Sequence, residues 1–102
     1  MDQEMKDSMM GALETVIDPE LGVDIVNLGL VYDVELSEDG FAVVTMTLTS
    51  MGCPMGPQIV QMVKQALYEL PEVEEVDVKI VWQPVWGKEH MSRYAKMALG
   101  VR

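Results

Sequence analysis

The sequence predicts an α+β fold: a two-layer sandwich in the order α-β-β-α-β-α, with a three-stranded mixed sheet and helices packed on one face. Three observations predict it. Runs with apolar residues at helical spacing are separated by runs that alternate apolar and polar side chains. A tight "SEDG" turn joins the first two alternating runs into a hairpin. A helical run then separates the second strand from the third, and such a crossover makes those two strands parallel. The pattern leaves open whether the third strand lies beside the second or beside the first.

In chain order, Met5, Met9, Ala12, Leu13, Val16 and Ile17 mark a first helix from about Asp2 to Ile17, with acids early and Pro19 as its stop. "DPELGVDIVNLG" (residues 18–29) reads as a loop punctuated by proline and glycine. Residues 30–36 and 41–50 read as strands, the second rich in β-branched residues. Ile59, Val60, Met62, Val63, Ala66, Leu67 and Leu70 give one face of a second helix, with Pro57 in its first turn and Pro71 closing it. Residues 73–82 alternate again as a third strand. After a "QPVWGKEH" connection, Met91, Tyr94, Ala95, Ala98 and Leu99 mark a short last helix ended by Gly100.

A length of 102 residues suits one domain spanning the whole chain. The balance of 49% hydrophobic and 24% charged residues is that of a soluble globular chain. A net charge of -10, from 17 acids against 7 bases, repels phosphate backbones and anionic surfaces, which argues against nucleic-acid and membrane partners. The single cysteine allows no internal disulfide. The acidic N-terminus lacks the pattern of a signal peptide, so the cytoplasm is the expected location.

Three places concentrate unusual residues. "TSMGCPMGP" sets Cys53 between a strand and a helix N-terminus, where unpaired N–H groups and the helix dipole stabilise a thiolate. Gly52 and Gly56 beside it remove side-chain bulk. The opposing reading makes Cys53 a small buried hydrophobe. "DPELGVDIVNLG" holds the carboxylates Asp18, Glu20 and Asp24 and the amide of Asn27. They suit a metal or a base, although the plainer account has Asp18 and Asn27 capping turns. "WQPVWGKEHM" holds both tryptophans, Trp82 and Trp86, and the lone His90. The tryptophans suit a pocket wall or partner surface, or the cover of a small core. One imidazole makes no metal site alone.

Taken in order, "DPELGVDIVNLGLVYDV", "TLTSMGCPM" and a W-x-P-x-W loop leading to "MSRYAKMALGV" resemble the metal–sulfur cluster biosynthetic family. Its members are small iron–sulfur cluster assembly domains of the SufT type and the PaaD type. The resemblance runs from about Met5 to the end and implies the same three-stranded α+β fold. By position the family motifs fall on Asp18, Pro19, Glu20 and Leu21, on Asn27, Leu28 and Gly29, and on Thr49, Cys53 and Pro54. The resemblance implies that these segments converge around the cysteine. PaaD-type chains add cysteines in a C-terminal tail, and this sequence has none there.

The role so implied is non-enzymatic: maturation of iron–sulfur proteins together with scaffold, carrier and client proteins. A cluster usually takes four protein ligands, mostly thiolates, and one chain supplies one. The expected cargo is therefore a labile cluster or iron, shared between subunits or with a client, and a homodimer is the expected assembly. Cys53 is the expected iron ligand. Asp18 and Glu20 are expected to bind iron or tune its charge, and Thr49 to donate a hydrogen bond to sulfur. Two readings compete: a metal-free adaptor using the Trp82–Trp86 loop, and a thiol enzyme with Cys53 as nucleophile and His90 as base.

Overall fold

The computed structural model describes residues 3–49 and 56–100. Its elements are α1 (Gln3–Leu13), β1 (Val31–Leu36), β2 (Phe41–Met46), α2 (Gly56–Tyr68), β3 (Glu75–Ile80), a 3₁₀ turn (Lys88–His90) and α3 (Arg93–Leu99). The order α-β-β-α-β-α is the one the sequence predicts, with the 3₁₀ turn added inside the last connection.

Helix α1 ends earlier than its apolar spacing suggests. Thr15, Val16 and Ile17 are β-branched and costly in a helix, and the Thr15 hydroxyl donates to the Ala12 carbonyl at 2.7 Å. The chain then turns extended ahead of Pro19. Val16 accepts from Ile25 N and Ile17 forms a bridge with Asp24, so Val16 is buried while Ile17 is 45% exposed. At the far end, α3 is closed by Gly100 at φ 70°, a left-handed cap that glycine adopts without strain.

The sheet order is β1-β2-β3, which places the third strand beside the second. β1 and β2 pair antiparallel with Val34 opposite Val44, and β2 and β3 pair parallel with Ala42 opposite Val76 and Met46 opposite Ile80. A register shift between Val31 and Asp33 leaves Tyr32 as the extra residue, and its hydroxyl donates to the Pro84 carbonyl at 2.8 Å.

Alternation decides which face is covered. Val34, Ala42, Val44, Met46 and Val76 are buried beneath Met9 and Leu13 of α1 and Ile59, Val63 and Leu67 of α2. The opposite face carries Asp33, Glu35, Phe41, Glu75, Asp77 and Lys79, all exposed. The segment 18–29 is more than a surface loop, because Val23, Ile25 and Leu28 enter the same core. Among the described residues, no helix is long and apolar enough to cross a membrane.

At the C-terminal end of α2, the Tyr68 hydroxyl donates to Glu75 Oε1 at 2.9 Å and accepts from Val76 N at 3.3 Å. The bond to Glu75 raises the Tyr68 pKa above 10.0, because it holds the phenol proton in place; partial burial adds to the rise. A raised folded-state value means that this link stabilises the fold below the ordinary tyrosine pKa. The contribution is lost as pH rises through the raised value.

Two measurements check this packing. Leu67→Ala should destabilise the fold by about 2–5 kcal/mol, read from the denaturant midpoint at unchanged slope. Glu75→Gln should return the Tyr68 pKa towards 10.0 in an NMR titration, as the carboxylate that held its proton is gone.

Candidate functional site

Each predicted site segment has a local reason for its shape. Asp18 is 3% exposed, and its Oδ1 accepts from Glu20 N at 2.8 Å and Leu21 N at 3.1 Å. The Asp18 carbonyl accepts from Gly22 N and its own N–H donates to the Val23 carbonyl. This carboxylate folds its own loop, which is the capping use of aspartate in a turn. It leaves Pro19 and Glu20 exposed and Leu21 half-buried.

Asp24 repeats the device one turn on. Its Oδ2 accepts from Asn27 N at 3.0 Å and its Oδ1 from Asn27 Nδ2 at 2.7 Å. The amide so oriented points its oxygen at the last helix: Asn27 Oδ1 accepts from Ser92 Oγ at 2.6 Å, and the Asn27 carbonyl accepts from Ser92 N at 2.7 Å. Ser92 is also the N-cap of α3, accepting from Ala95 N.

The next two residues extend the contact. The Leu28 carbonyl accepts from Trp86 Nε1 at 2.8 Å. Gly29 sits at φ +79°, and a Cβ there would collide with the main chain of His90. Asn27 and Gly29 therefore act as anchors for the C-terminal segment. His90 belongs to the same knot: its Nδ1 accepts from Gly87 N at 3.1 Å, and its ring lies 5.8 Å from that of Tyr32.

The tryptophan loop so held borders a cavity of about 270 Å³, lined by Thr47, Leu48, Thr49, Trp82, Gln83, Val85 and Trp86. Thr49, Trp82 and Trp86 came from two separate motifs, and the fold brings them to one wall. Leu48, Gln83 and Val85 carried no signal of their own in the sequence. Asp18, Pro19, Glu20 and Leu21 do not line this cavity. Cys53, Gly52 and Pro54 lie outside the described residues; Thr49 precedes Cys53 by four positions in the chain. Among the described residues, no group of three histidine, cysteine or acidic side chains could hold a metal ion.

The profile of the family described as "Iron-sulfur cluster assembly protein" matches residues 6–79, well over half of the sequence. The chain belongs to that family. It is 63% identical over 102 residues to the Fe-S protein maturation auxiliary factor YitW of Bacillus subtilis, covering 100% of both chains. It is 65% identical over 86 residues to the Fe-S protein maturation auxiliary factor SufT of Staphylococcus aureus, covering 84% of this chain and 98% of that one. A crystal structure of a domain of unknown function, DUF59, from Bacillus anthracis superposes with a TM-score of 0.92 at 58% identity. It covers 98% of this chain and 95% of that one. The SufT-type resemblance read from the motifs is the family these matches give.

Removing the anchor should loosen the C-terminal segment. Asn27→Ala strips partners from Asp24 and Ser92 and should cost about 1–3 kcal/mol of stability in denaturant unfolding. Gly29→Ala should cost more than about 1 kcal/mol, since it adds a positive-φ strain to a steric collision.

Proposed function

We propose that this chain is an Fe–S protein maturation factor that takes up, holds or passes on a labile cluster or iron through Cys53. The carrying observation is the full-length 63% identity to a protein named as a maturation auxiliary factor, together with the family membership. Donor chemistry limits the mode of holding. One thiol per chain cannot complete a cluster's usual ligand set, so the cargo is shared with a second chain, a small thiol or the recipient protein. Lability then follows from incomplete ligation, and it is what a transfer step requires.

The chain's own residues divide the work. Cys53 supplies the thiolate to iron. Glu20, exposed on a loop held by Asp18, supplies an oxygen ligand or a counter-charge. Asp18 adds a second negative charge beside it and fixes the loop, since one of its oxygens is committed to main-chain N–H groups. Thr49 offers its hydroxyl to the sulfur. The role is non-enzymatic: the chain passes a preformed cargo between a scaffold or carrier and a client by exchange of thiolate ligands on iron, one iron–sulfur bond breaking as another forms.

The tryptophan-walled cavity supports a second reading, an adaptor that anchors a partner's apolar side chain and touches no metal. Trp86 is tied to the Leu28 carbonyl, which leaves Trp82 as the adjustable wall.

The two readings separate in one experiment. In anaerobic reconstitution, Cys53→Ser should lose most bound iron and sulfide relative to wild type, and Glu20→Gln should retain an intermediate amount. Trp82→Ala should leave iron retention unchanged and weaken client capture. Iron and sulfide retention unaffected by Cys53→Ser, with client activation intact, would remove the cargo role and leave the adaptor.

A further inference from the structure

One edge of the sheet is complementary to itself. β3 ends the strand order, so among the described residues only one of its sides is paired with another strand. Glu75 N donates to the Gly40 carbonyl and Val81 N to the Met46 carbonyl, both towards β2. The two-residue period of a strand then turns the peptide groups of Val76, Val78 and Ile80 outward. Val76 N marks this parity directly, since it donates to the Tyr68 hydroxyl and not to β2. The side chains of Val78 and Ile80 lie on the core side and are only half-buried, while Asp77 and Lys79 stand exposed on the open face.

We propose that β3 pairs antiparallel with β3 of a second copy of this chain, about a two-fold axis at Val78, joining the two sheets into one. In that register Val78 faces Val78 of the second copy and exchanges both main-chain hydrogen bonds with it. Each Ile80 faces Val76 of the other copy and donates to its carbonyl, while Tyr68 keeps the Val76 N–H. The apolar side chains of the core face meet only one another across the seam, which covers the half-buried Val78 and Ile80. On the open face Asp77 meets Lys79 of the second copy, and Lys79 meets Asp77. These sites are the non-hydrogen-bonded ones, where opposed side chains come closest.

The side-chain period and the charges together narrow the register. A slip of one residue would set the core face of one copy against the open face of the other. Of the two nearest slips that preserve the faces, one sets Lys79 against Lys79, and like charges directly opposed are destabilising. The other sets Asp77 against Asp77 and gains Glu75 against Lys79 only by drawing on the carboxylate that Tyr68 already holds. Glu75 meets no charge in the proposed register, and its carboxylate already accepts from Tyr68. The contact is isologous and closes on itself, so it yields a dimer and no filament. It is independent of the iron–sulfur reading, because nothing in it involves Cys53 or metal.

A short strand pair belongs to the weak class of interfaces, below about 1,200 Å² buried, so the test needs high protein concentration. Sedimentation equilibrium of the metal-free chain, in reductant and about 0.15 M salt, is measured from about 10 µM to about 1 mM. The wild-type mass should climb from 11.4 kDa towards twice that value. Asp77→Lys and Lys79→Asp should each weaken the dimer by about tenfold, because each places two like-charged pairs across the seam. The double charge swap should restore the wild-type constant to within about twofold, since it re-forms both pairs. Exchange of the Val78 and Ile80 amides should slow as concentration rises. A wild-type chain that stays monomeric throughout overturns the proposal. So does a dimer indifferent to the single swaps, a double swap that fails to recover, or a β3 edge that pairs only with another protein's strand.

Discussion

The contact between the Asn27–Leu28–Gly29 turn and the segment around Trp86, His90 and Ser92 holds the C-terminal part of the molecule in place. Among the described residues, the sheet ladder reaches no further than Val81. The tryptophan loop, the 3₁₀ turn and α3 are seated by Ser92 meeting both oxygens of Asn27, by Trp86 meeting the Leu28 carbonyl and by His90 lying close over Gly29. The Tyr32–Pro84 bond and the burial of Met91 and Ala95 in the core stand beside these contacts. Charge drives the first link. Asp24 accepts from the main-chain N–H and from the side-chain amide nitrogen of Asn27, so the amide oxygen is the end left to face Ser92. A buried carboxylate far from the tryptophans in sequence thereby fixes where the tryptophans stand.

The crossover does the corresponding work for the other half of the site. β2 runs out at Met46, continues through Thr47 and Leu48, and reaches Thr49 at the sheet end where the tryptophan loop passes. Because β3 runs parallel to β2, its own exit at Ile80 leaves the sheet at the same end. Trp82 thus meets Thr49 by topology before any side-chain preference acts. Catalytic and binding groups commonly gather where parallel strands end, for this reason.

Much of this was legible in the residues. Alternation in 31–36, 41–46 and 75–80 and the helical stripes around Met9 and Val63 gave element type and order, because each element buries one face and periodicity reports that face. Boundaries ran long wherever a segment stays apolar after its hydrogen bonds stop: Val16 serves the core from a bridge, and Thr47 and Leu48 follow β2 without belonging to it. The capping use of Asp18 was also readable, since aspartate ahead of a proline turn has few better uses. What the sequence hid were the distant partnerships. Ser92 drew no attention in the sequence, and its pairing with Asn27 lies across 65 residues. Gly29 reads as turn punctuation, and only the fold reveals that His90 needs the space.

The knot at Asn27 has a consequence for how this domain travels between proteins. The family profile spans residues 6–79, so it contains Asn27, Leu28 and Gly29 but stops short of Trp86, His90 and Ser92. A polypeptide inheriting that stretch alone would carry two carbonyls and an amide oxygen stripped of their donors, beside a glycine-made hollow with no tenant. Polar groups so placed must be met by solvent, a different tail or an adjoining module. Whatever follows that stretch in a larger architecture either leaves the hollow open to water or has to fit over it.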